Sequence, residues 1–189
     1  MNHDNNHRKD DEPALLLREY AEFFYRQPLP GPILDLACGD GRNGIFLAKK
    51  GLPVILCDAS AEALDSARKR AEENGVAPVL WRVDLEKAGE NPLPEDAYGG
   101  VLVFRYLHRP LMPCIRKSLK KNGLLLYETF IVDQARYGKP RNPAFLLRPD
   151  ELREWFADWE ILYYAEGIRP APERAVAQLL CRKPVTIIP

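Results

Sequence analysis

A glycine-rich turn directly after an apolar run constrains this chain more than any other stretch of its sequence. Residues 33–44 read ILDLACGDGRNG, in which Gly39, Gly41 and Gly44 follow the pattern G-x-G-x-x-G. Glycine at such places lets a strand turn sharply into a helix and lets the backbone approach a ligand closely. Read literally, the spacing is the fingerprint of a nicotinamide dinucleotide site, but a carboxylate inside the strand, at Asp35, does not suit that interpretation. The stretch predicts a strand–turn–helix unit that holds a nucleotide-like ligand.

The rest of the chain repeats this alternation of strand and helix. The runs PVILCD, PVLWRVD, YGGVLVFRYL and LLLYETFI predict four further strands. Strands that read as continuous apolar runs between helices indicate a parallel sheet that is covered on both faces. The last two runs, WEILYYAEG and RAVAQLLCRK, are joined only by IRPAPE, which can join antiparallel neighbours but not parallel ones. The sequence therefore predicts an α/β fold: a Rossmann-like three-layer sandwich with a seven-stranded, mostly parallel sheet and an antiparallel edge hairpin.

The helices of this fold are predicted from the spacing of apolar residues and from their stop signals. A chain of 189 residues suggests one domain. We expect that domain to span residues 13–189, after a polar tail over residues 1–12 that is expected to be disordered. Helices are predicted over 13–27, 42–51, 61–75, 110–121 and 149–157, and a loop rich in proline, glycine and acid over 86–98.

Composition narrows the classes of function. Lys and Arg total 27 and Asp and Glu total 27, so the net charge is zero and the basic footprint of most nucleic-acid binders is missing. No apolar stretch reaches the roughly 18 residues of a membrane span, and the N-terminus lacks an apolar signal core, so we expect a soluble, cytoplasmic protein. The four cysteines form no C-x-x-C and predict neither a zinc site nor a disulfide framework. For His3 and His7, a disordered tail is favoured over a metal site.

Carboxylates stand at the ends of three successive predicted strands, and they favour a particular ligand. A carboxylate at Asp35 would be unfavourable beside a pyrophosphate but suits a cation, and S-adenosylmethionine carries a sulfonium and an ammonium group. Asp58 can accept hydrogen bonds from both ribose hydroxyls, and Asp84 can accept from an adenine amino group. The alternatives are a turn or capping carboxylate for Asp35, a helix cap for Asp58 and an ordinary turn residue for Asp84. Together, the three favour the methyl donor.

These motifs resemble those of the class I S-adenosylmethionine-dependent methyltransferases. ILDLACGDGRNGIFLAKKG is similar to the family's first motif, VILCDAS to its second acidic position and RVDL to its third, over roughly residues 30–185. The Arg-Asn pair at residues 42 and 43 and the later run YETF…YGKPRNP resemble the tellurite-resistance (TehB-like) branch. The chain departs from the pattern at Ala37, which occupies the first glycine position and fits the turn if its φ stays negative.

The resemblance implies S-adenosyl-L-methionine as the cofactor and a set of residues that hold it. Arg105, after the fourth strand, is suited to pair with the donor's carboxylate, and a surface salt bridge is its alternative. The predicted cofactor-binding residues are Asp35, Cys38, Gly39, Gly41, Asn43, Asp58, Ala59, Asp84, Leu85 and Arg105, and no metal is predicted.

The acceptor side carries no obligatory motif, because methyl transfer needs chiefly alignment of the reactants and exclusion of water. Candidate catalytic residues are His108, which suits a general base near neutral pH, and Tyr106, although a histidine without a catalytic role at a helix start is an equal alternative. Glu128, at the end of the fifth strand, and Tyr137 are candidates for substrate binding.

Two segments are candidates for closing the acceptor cleft. The polar segment 133–147 has the composition of a functional lid, and its basic residues favour an anionic acceptor, with a solvated loop as the alternative. The helix over 13–27 is a second candidate cover, although core packing accounts for most of its aromatic residues.

The leading hypothesis for the function is methyl transfer to a small-molecule acceptor. The charge balance disfavours a nucleic-acid acceptor, and so does the absence of Asn-Pro-Pro-Tyr, the motif of many nucleic-acid methyltransferases that act on amino groups. No membrane partner is expected. The resemblance implies soft acceptors such as thiols or tellurium and selenium oxyanions. The alternatives are a non-catalytic module that binds S-adenosylmethionine or S-adenosylhomocysteine and, with less support, an NAD(P)-dependent oxidoreductase.

Overall fold

The centre of the molecule is a short strand that is buried along its whole length and paired on both sides. Ile33–Leu36 pairs in parallel with the strand Val54–Asp58 on one side and with the strand Tyr98–Phe104 on the other. Its alternating side chains enter two cores: Ile33 packs on one face of the sheet and Leu34 on the other. A strand that is covered on both faces must be apolar throughout, as this one is apart from Asp35.

The computed structural model describes residues 12–87, 91–170 and 172–185. Most of the tail predicted over residues 1–12, namely residues 1–11, lies outside this range. The helices are α1 (Leu15–Tyr20), α2 (Glu22–Tyr25), α3 (Arg42–Ala48), α4 (Ala61–Glu73), α5 (Met112–Ser118) and α6 (Glu151–Trp155), and the strands are β1 (Ile33–Leu36), β2 (Val54–Asp58), β3 (Val79–Arg82), β4 (Tyr98–Phe104), β5 (Leu119–Phe130), β6 (Glu160–Arg169) and β7 (Arg174–Arg182).

The seven strands form one sheet in the order β3-β2-β1-β4-β5-β7-β6. The first five strands in this order pair in parallel, and β7 runs antiparallel between β5 and β6. The predicted fold class is confirmed, including the antiparallel hairpin at one edge. The chain order reverses at β1 and β4, and the carboxyl ends of strands beside such a reversal are where sheets of this kind bind ligands.

The helices lie in two layers. Helices α1 to α4 cover the face that carries Ile33, and α5 and α6 cover the other. Several helices are shorter than predicted, and α5 shows why. It ends at Ser118 instead of continuing to residue 121, because the carbonyls of Lys117 and Ser118 accept hydrogen bonds from Asp96 and Ala97, and the chain becomes extended at Leu119.

The first two helices are docked firmly on the sheet. Leu16 and Phe24 are fully buried, and the ring of Tyr20 lies 4.7 Å from that of Tyr163 on β6. The start of α1 is fixed by the backbone N–H of Ala14, which donates to Asn43 Oδ1 at 2.8 Å. Core packing therefore accounts for the buried part of this segment. Its role as a cover of the acceptor cleft stays a prediction.

Within the described ranges, no helix has the length and apolarity needed to cross a membrane.

Candidate functional site

The glycine-rich turn after β1 alternates left-handed residues with ordinary ones. Ala37, Gly39 and Gly41 have φ angles of 52°, 57° and 75°. The prediction of a negative φ at Ala37 is therefore wrong. The turn must bend towards β2 at once, because the N–H of Cys38 donates to the carbonyl of Cys57 at 2.9 Å, and this bend places Ala37 in the left-handed region.

The three glycines of the motif serve two different purposes. A Cβ at Gly39 would meet no atom within 4 Å, so the turn borders open space there. A Cβ at Gly41 would lie 2.9 Å from Leu56 Cδ1, and one at Gly44 would lie 2.3 Å from Leu56 Cδ2. Gly41 and Gly44 thus let α3 pack closely against β2, whereas Gly39 leaves room for a ligand.

Asp58 joins the turn to the end of β2. Its Oδ2 accepts the N–H of Gly39 at 2.9 Å, and its Oδ1 accepts the N–H of Ser60 at 2.9 Å. A carboxylate has about four acceptor sites, so each oxygen keeps the capacity to accept a further hydrogen bond. The half-buried Asp58, beside the open space at Gly39, has the chemistry that the two hydroxyls of a ribose require.

Asp35 makes a different contact from the one predicted. Its side chain is only 1% exposed, and Oδ2 accepts the N–H of Gly44, in the first turn of α3, at 2.8 Å. Burial raises the pKa of Asp35 to about 7, against the opposing effect of the Gly44 hydrogen bond. In this position Asp35 holds the turn and α3 together from beneath, and a direct contact with the donor stays a prediction.

The other residues predicted to bind the methyl donor differ in their exposure and in their contacts. Asn43 is 6% exposed, and its side chain holds Ala14 at the start of α1. Cys38 is buried, and burial raises the pKa of its thiol. Asp84 is exposed beyond the end of β3, where its Oδ1 accepts the N–H of Glu86 at 2.9 Å.

The end of β3 lies next to Asp58, so the predicted ribose and adenine positions are neighbours. Arg82 pairs with Asp58 in the sheet, and the N–H of Val83 donates to the Asp58 carbonyl at 3.1 Å. Leu85, after Asp84, is buried, and the carbonyl of Ala59 accepts from Arg82 Nε at 3.2 Å. Asp58 and Asp84 therefore lie at the ends of neighbouring parallel strands, and their contacts with ribose and adenine stay predictions.

Beyond β4 and β5 lies an open cavity of about 860 Å³. Its walls come from residues 105–107 after β4, residues 129–130 around the end of β5, Glu86 after β3, and a segment over residues 138–145, here called the strap. The strap contributes residues 138–142 and Phe145. The predicted residues Arg105 and Tyr106 line this cavity, whereas His108, Glu128 and Tyr137 do not.

Arg105 and Tyr106 are held by their backbones at the end of β4. Arg105 has a φ of 56°, and its N–H donates to the carbonyl of Glu128 at 2.8 Å. The carbonyl of Tyr106 accepts from Tyr127 Oη at 3.0 Å. Burial, followed by the nearby Glu86 carboxylate, raises the pKa of Tyr106, so its hydroxyl stays protonated at neutral pH. This favours a packing or positioning role over that of a general base.

Glu128 belongs to a buried polar cluster on the other side of the β5 end. It is 2% exposed, and its Oε2 accepts from Gln178 Nε2 at 2.5 Å, while Arg174 Nη2 lies 3.6 Å from Oε1. Tyr163 Oη donates to Gln178 Oε1 at 3.3 Å and accepts from Arg169 Nη2 at 3.3 Å. The sequence analysis missed these partners of Glu128. A glutamine in the apolar run RAVAQLLCRK was the signal available.

The strap is fastened at both ends. Gln134 Nε2 donates to the Lys139 carbonyl at 3.1 Å, while Gln134 Oε1 accepts the N–H of Ala175 on β7 at 2.8 Å. At the other end, Arg109 donates to the carbonyls of Ala144 at 3.0 Å and Leu146 at 2.8 Å. The segment predicted as a lid is therefore a wall of the cavity that is tied to β7 and to the start of the region after β4.

Comparison with known proteins agrees with this fold and site. Residues 33–123 match the family model described as a methyltransferase domain. The probable S-adenosyl-L-methionine-dependent methyltransferase TehB of Haemophilus influenzae is 28% identical over 144 residues, which are 74% of this chain and 49% of TehB. The crystal structure of TehB from Haemophilus influenzae superposes with a TM-score of 0.74 at 21% identity, over 88% of this chain and 61% of that one.

A relative with a different function also matches. The tRNA 5-carboxymethoxyuridine methyltransferase of Escherichia coli is 26% identical over 156 residues, covering 69% of this chain and 60% of that protein. The chain spans about half the length of the TehB sequences that it matches.

The fold, the turn and these matches make the chain similar to the class I S-adenosylmethionine-dependent methyltransferases. Within that class, it is similar to TehB in sequence and in fold. The methyl donor of the class is S-adenosylmethionine, and the open space at Gly39 beside Asp58 fits its nucleoside.

Proposed function

We propose that this chain transfers the methyl group of S-adenosylmethionine to a small-molecule acceptor in the 860 Å³ cavity. The observation that carries the proposal is the adjacency of two features. The turn at Gly39 and Asp58 has the form of a donor site, and the neighbouring strand ends of β4 and β5 open into a walled cavity.

When bound, S-adenosylmethionine supplies a methyl group on a sulfonium, which a nucleophile attacks as the carbon–sulfur bond breaks. The chain's own contribution is alignment and the exclusion of water. Asp58 orients the ribose through its free acceptor capacity, and Gly39 lets the backbone come close. Arg105, at the end of β4, stands between this donor position and the cavity, where it suits the donor's carboxylate.

A small acceptor, as opposed to a nucleic acid, is part of the proposal. The net charge of zero over the whole chain supports it, since most nucleic-acid binders carry a basic surface. The likeness to a tRNA methyltransferase makes nucleic acid the alternative to be tested.

Calorimetric titration with S-adenosylhomocysteine tests the donor site, with NADH as the parallel ligand. We expect micromolar binding of S-adenosylhomocysteine that is lost in Asp58→Ala and kept in Asp65→Ala, because Asp65 pairs with Arg68 on the exposed face of α4. Binding of NADH alone would contradict the proposal and favour an oxidoreductase.

Transfer of a labelled methyl group tests the reaction itself. The enzyme is incubated with labelled donor and either a small-molecule extract or total RNA, and we expect label only in the small-molecule fraction. Label in RNA would contradict the small-acceptor proposal. Donor binding without transfer to either fraction would favour a binding module.

A further inference from the structure

The cavity differs from a simple oxyanion site in its size. Its volume of about 860 Å³ is that of a pocket for a drug-sized molecule, since such pockets span roughly 300–1,000 Å³. One water occupies about 30 Å³ of liquid, so a small inorganic anion would leave most of the space filled with solvent. A volume of this kind fits an organic molecule of some tens of atoms.

Much of the cavity wall is apolar and aromatic. Leu107, Phe130 and Pro140 line it together with the ring of Tyr106. Phe145 stands on the strap with 48% of its surface exposed, which is unfavourable for a large aromatic side chain without a partner. These side chains offer flat contact surfaces, and flat contacts of this kind suit an aromatic or alicyclic body.

The polar part of the wall is predominantly cationic. Lys139 and Arg141 are neighbours on the strap, both exposed, and within the described residues no hydrogen bond or ion pair joins either side chain to the protein. Arg105 also lines the wall, but the proposed function assigns it to the donor's carboxylate, which leaves Lys139 and Arg141 for the acceptor, and Glu86 is the carboxylate among the lining residues. A guanidinium beside apolar surface binds a carboxylate or phosphate through paired, charge-assisted hydrogen bonds.

The backbone that carries Lys139 and Arg141 is anchored on both sides. The carbonyl of Lys139 is held by Gln134, which is itself bonded to β7, and the carbonyls of Ala144 and Leu146 are held by Arg109. Lys139 and Arg141 therefore project from a backbone that is anchored on both sides. An anchored strap loses less entropy on binding than a free loop does, which favours recognition of a specific ligand.

We propose that the acceptor is an amphipathic organic anion, with a flat apolar body against Phe130 and Phe145 and a carboxylate or phosphate facing Lys139 and Arg141. This inference rests on the proposed function and names the substrate class of the same site. It separates the chain's acceptor from inorganic oxyanions, which have no apolar body for the aromatic wall to contact.

The test is titration of acceptor-like probes into the protein saturated with S-adenosylhomocysteine. The probes are 2-naphthoate, indole-3-acetate and biphenyl-4-carboxylate, each with its uncharged carboxamide, and naphthyl phosphate and sulfate for comparison. We expect at least one aromatic anion to bind about ten-fold more tightly than its carboxamide, as one charge-assisted contact provides, and sulfate to bind far more weakly. A preference for naphthyl phosphate over all three carboxylates would identify phosphate as the anionic group.

Matched variants separate charge from shape. Arg141→Gln and Lys139→Gln should abolish the preference for the anion but leave carboxamide binding unchanged, whereas Phe145→Ala should weaken both probes of a pair. Arg136→Gln is the control, because Arg136 is equally basic and lies near the strap, but pairs with Asp133 and does not line the cavity.

Three results would overturn the inference: no aromatic anion binds, sulfate binds as tightly as the carboxylates, or the preference for anions survives in both strap variants. Displacement of the probes by short RNA, with sensitivity to Arg141→Gln, would also overturn it in favour of nucleic acid. Failure of S-adenosylhomocysteine to bind would count against the proposed function instead, so the two failures are distinguishable.

Discussion

Arg109 and Glu151 form a two-pronged ion pair that joins the chain after β4 to helix α6. Arg109 Nε lies 2.7 Å from Glu151 Oε1, and Nη2 lies 2.8 Å from Oε2. The carboxylate is 2% exposed and also accepts the N–H of Arg148 at 2.8 Å. Because Arg109 also holds two carbonyls at the end of the strap, this pair fixes the wall of the acceptor cavity to the sheet.

Replacement of Glu151 by glutamine should destabilise the protein. Burial alone would raise the pKa of Glu151, but the hydrogen bonds from Arg109 and Arg148 lower it below its ordinary value. The variant keeps the shape of the side chain but loses its charge. We expect a loss of about 2 kcal/mol in the free energy of unfolding at neutral pH. This loss is smaller than that expected on breaking a fully buried ion pair, because Arg109 is partly exposed. Chemical denaturation measures this loss.

The loss of stability in Glu151→Gln should be smaller in acid than at neutral pH. A carboxylate whose pKa is lowered by folding stabilises the fold above its ordinary pKa of about 4, and this stabilisation disappears as the pH falls through the lowered value. The difference between wild type and variant should therefore shrink in acid. Glu160→Gln, which breaks the exposed pair with Arg182, is the control, and a loss there as large as that for Glu151→Gln would contradict the prediction.

The contribution of Asp35 to stability should change with pH in the direction opposite to that of Glu151. Its pKa is raised by burial to about 7, so the folded protein favours the protonated form, and the contribution of this group to stability is greatest below about pH 4 and is lost as the pH rises through 7. Asp35→Asn keeps an oxygen for the N–H of Gly44 without the charge. Relative to wild type, the variant should gain about 4 kcal/mol between acid and neutral pH.

The measurement for Asp35→Asn is the free energy of unfolding of both proteins at a series of pH values. A difference that stays flat across this range would show that Asp35 is not a buried, proton-binding carboxylate in the folded protein. Asp65→Asn, on the exposed face of α4, should show no such trend and serves as the control.

Ala37→Gly should stabilise the protein. A left-handed conformation costs a residue with a Cβ roughly 1–2 kcal/mol, and Ala37 adopts it with a φ of 52°. Glycine removes this strain at the expense of a more flexible unfolded chain, so we expect a net gain of about 0.5 kcal/mol. Ala63→Gly, inside α4, is the matched control and should cost about 1 kcal/mol. Equal losses at both positions, measured by thermal unfolding, would contradict the assignment of strain.

The fold class and the donor motif were predictable because they depend on local patterns. The apolar run of β1 indicates a buried strand, and the short connection between β6 and β7 indicates that these two strands are antiparallel neighbours. The conformation of Ala37 was not predictable, since it depends on the hydrogen bond between Cys38 in the turn and Cys57 on β2, which are 19 residues apart in the sequence.

The same distinction applies to the buried carboxylates. Asp35 and Glu128 both stand in strands whose ends form the site, and their types suggested ligand contacts. Which atoms they contact depends on long-range neighbours, Gly44 in one case and Gln178 in the other, that no spacing in the sequence reveals. The strap's anchors, Arg109 and Gln134, were missed for the same reason.

Gly44→Ala should disturb the packing beneath the donor turn. A Cβ there would lie 2.3 Å from Leu56 Cδ2 and 3.0 Å from Asp35 Oδ2, and Leu56 is fully buried with little room to move. Overpacking of this kind costs about 1–3 kcal/mol, and it should also push α3 away from β2 and so weaken binding of S-adenosylhomocysteine. Gly51→Ala is the control: unlike Gly44, Gly51 has a positive φ, of 82°, and a Cβ there would meet no atom within 4 Å, so this variant should show backbone strain without loss of ligand binding.

A double variant isolates the clash at Gly44. Leu56→Ala alone removes buried volume and should cost about 2–5 kcal/mol. In the double variant, Leu56→Ala removes the atom that the new methyl group at position 44 would meet. The double variant should therefore lose at least about 1 kcal/mol less stability than the sum of the losses in the two single variants. Strict additivity in denaturation would mean that Leu56 and the new methyl group do not compete for space. In that case the close packing of α3 on β2 would not be the reason for glycine at position 44.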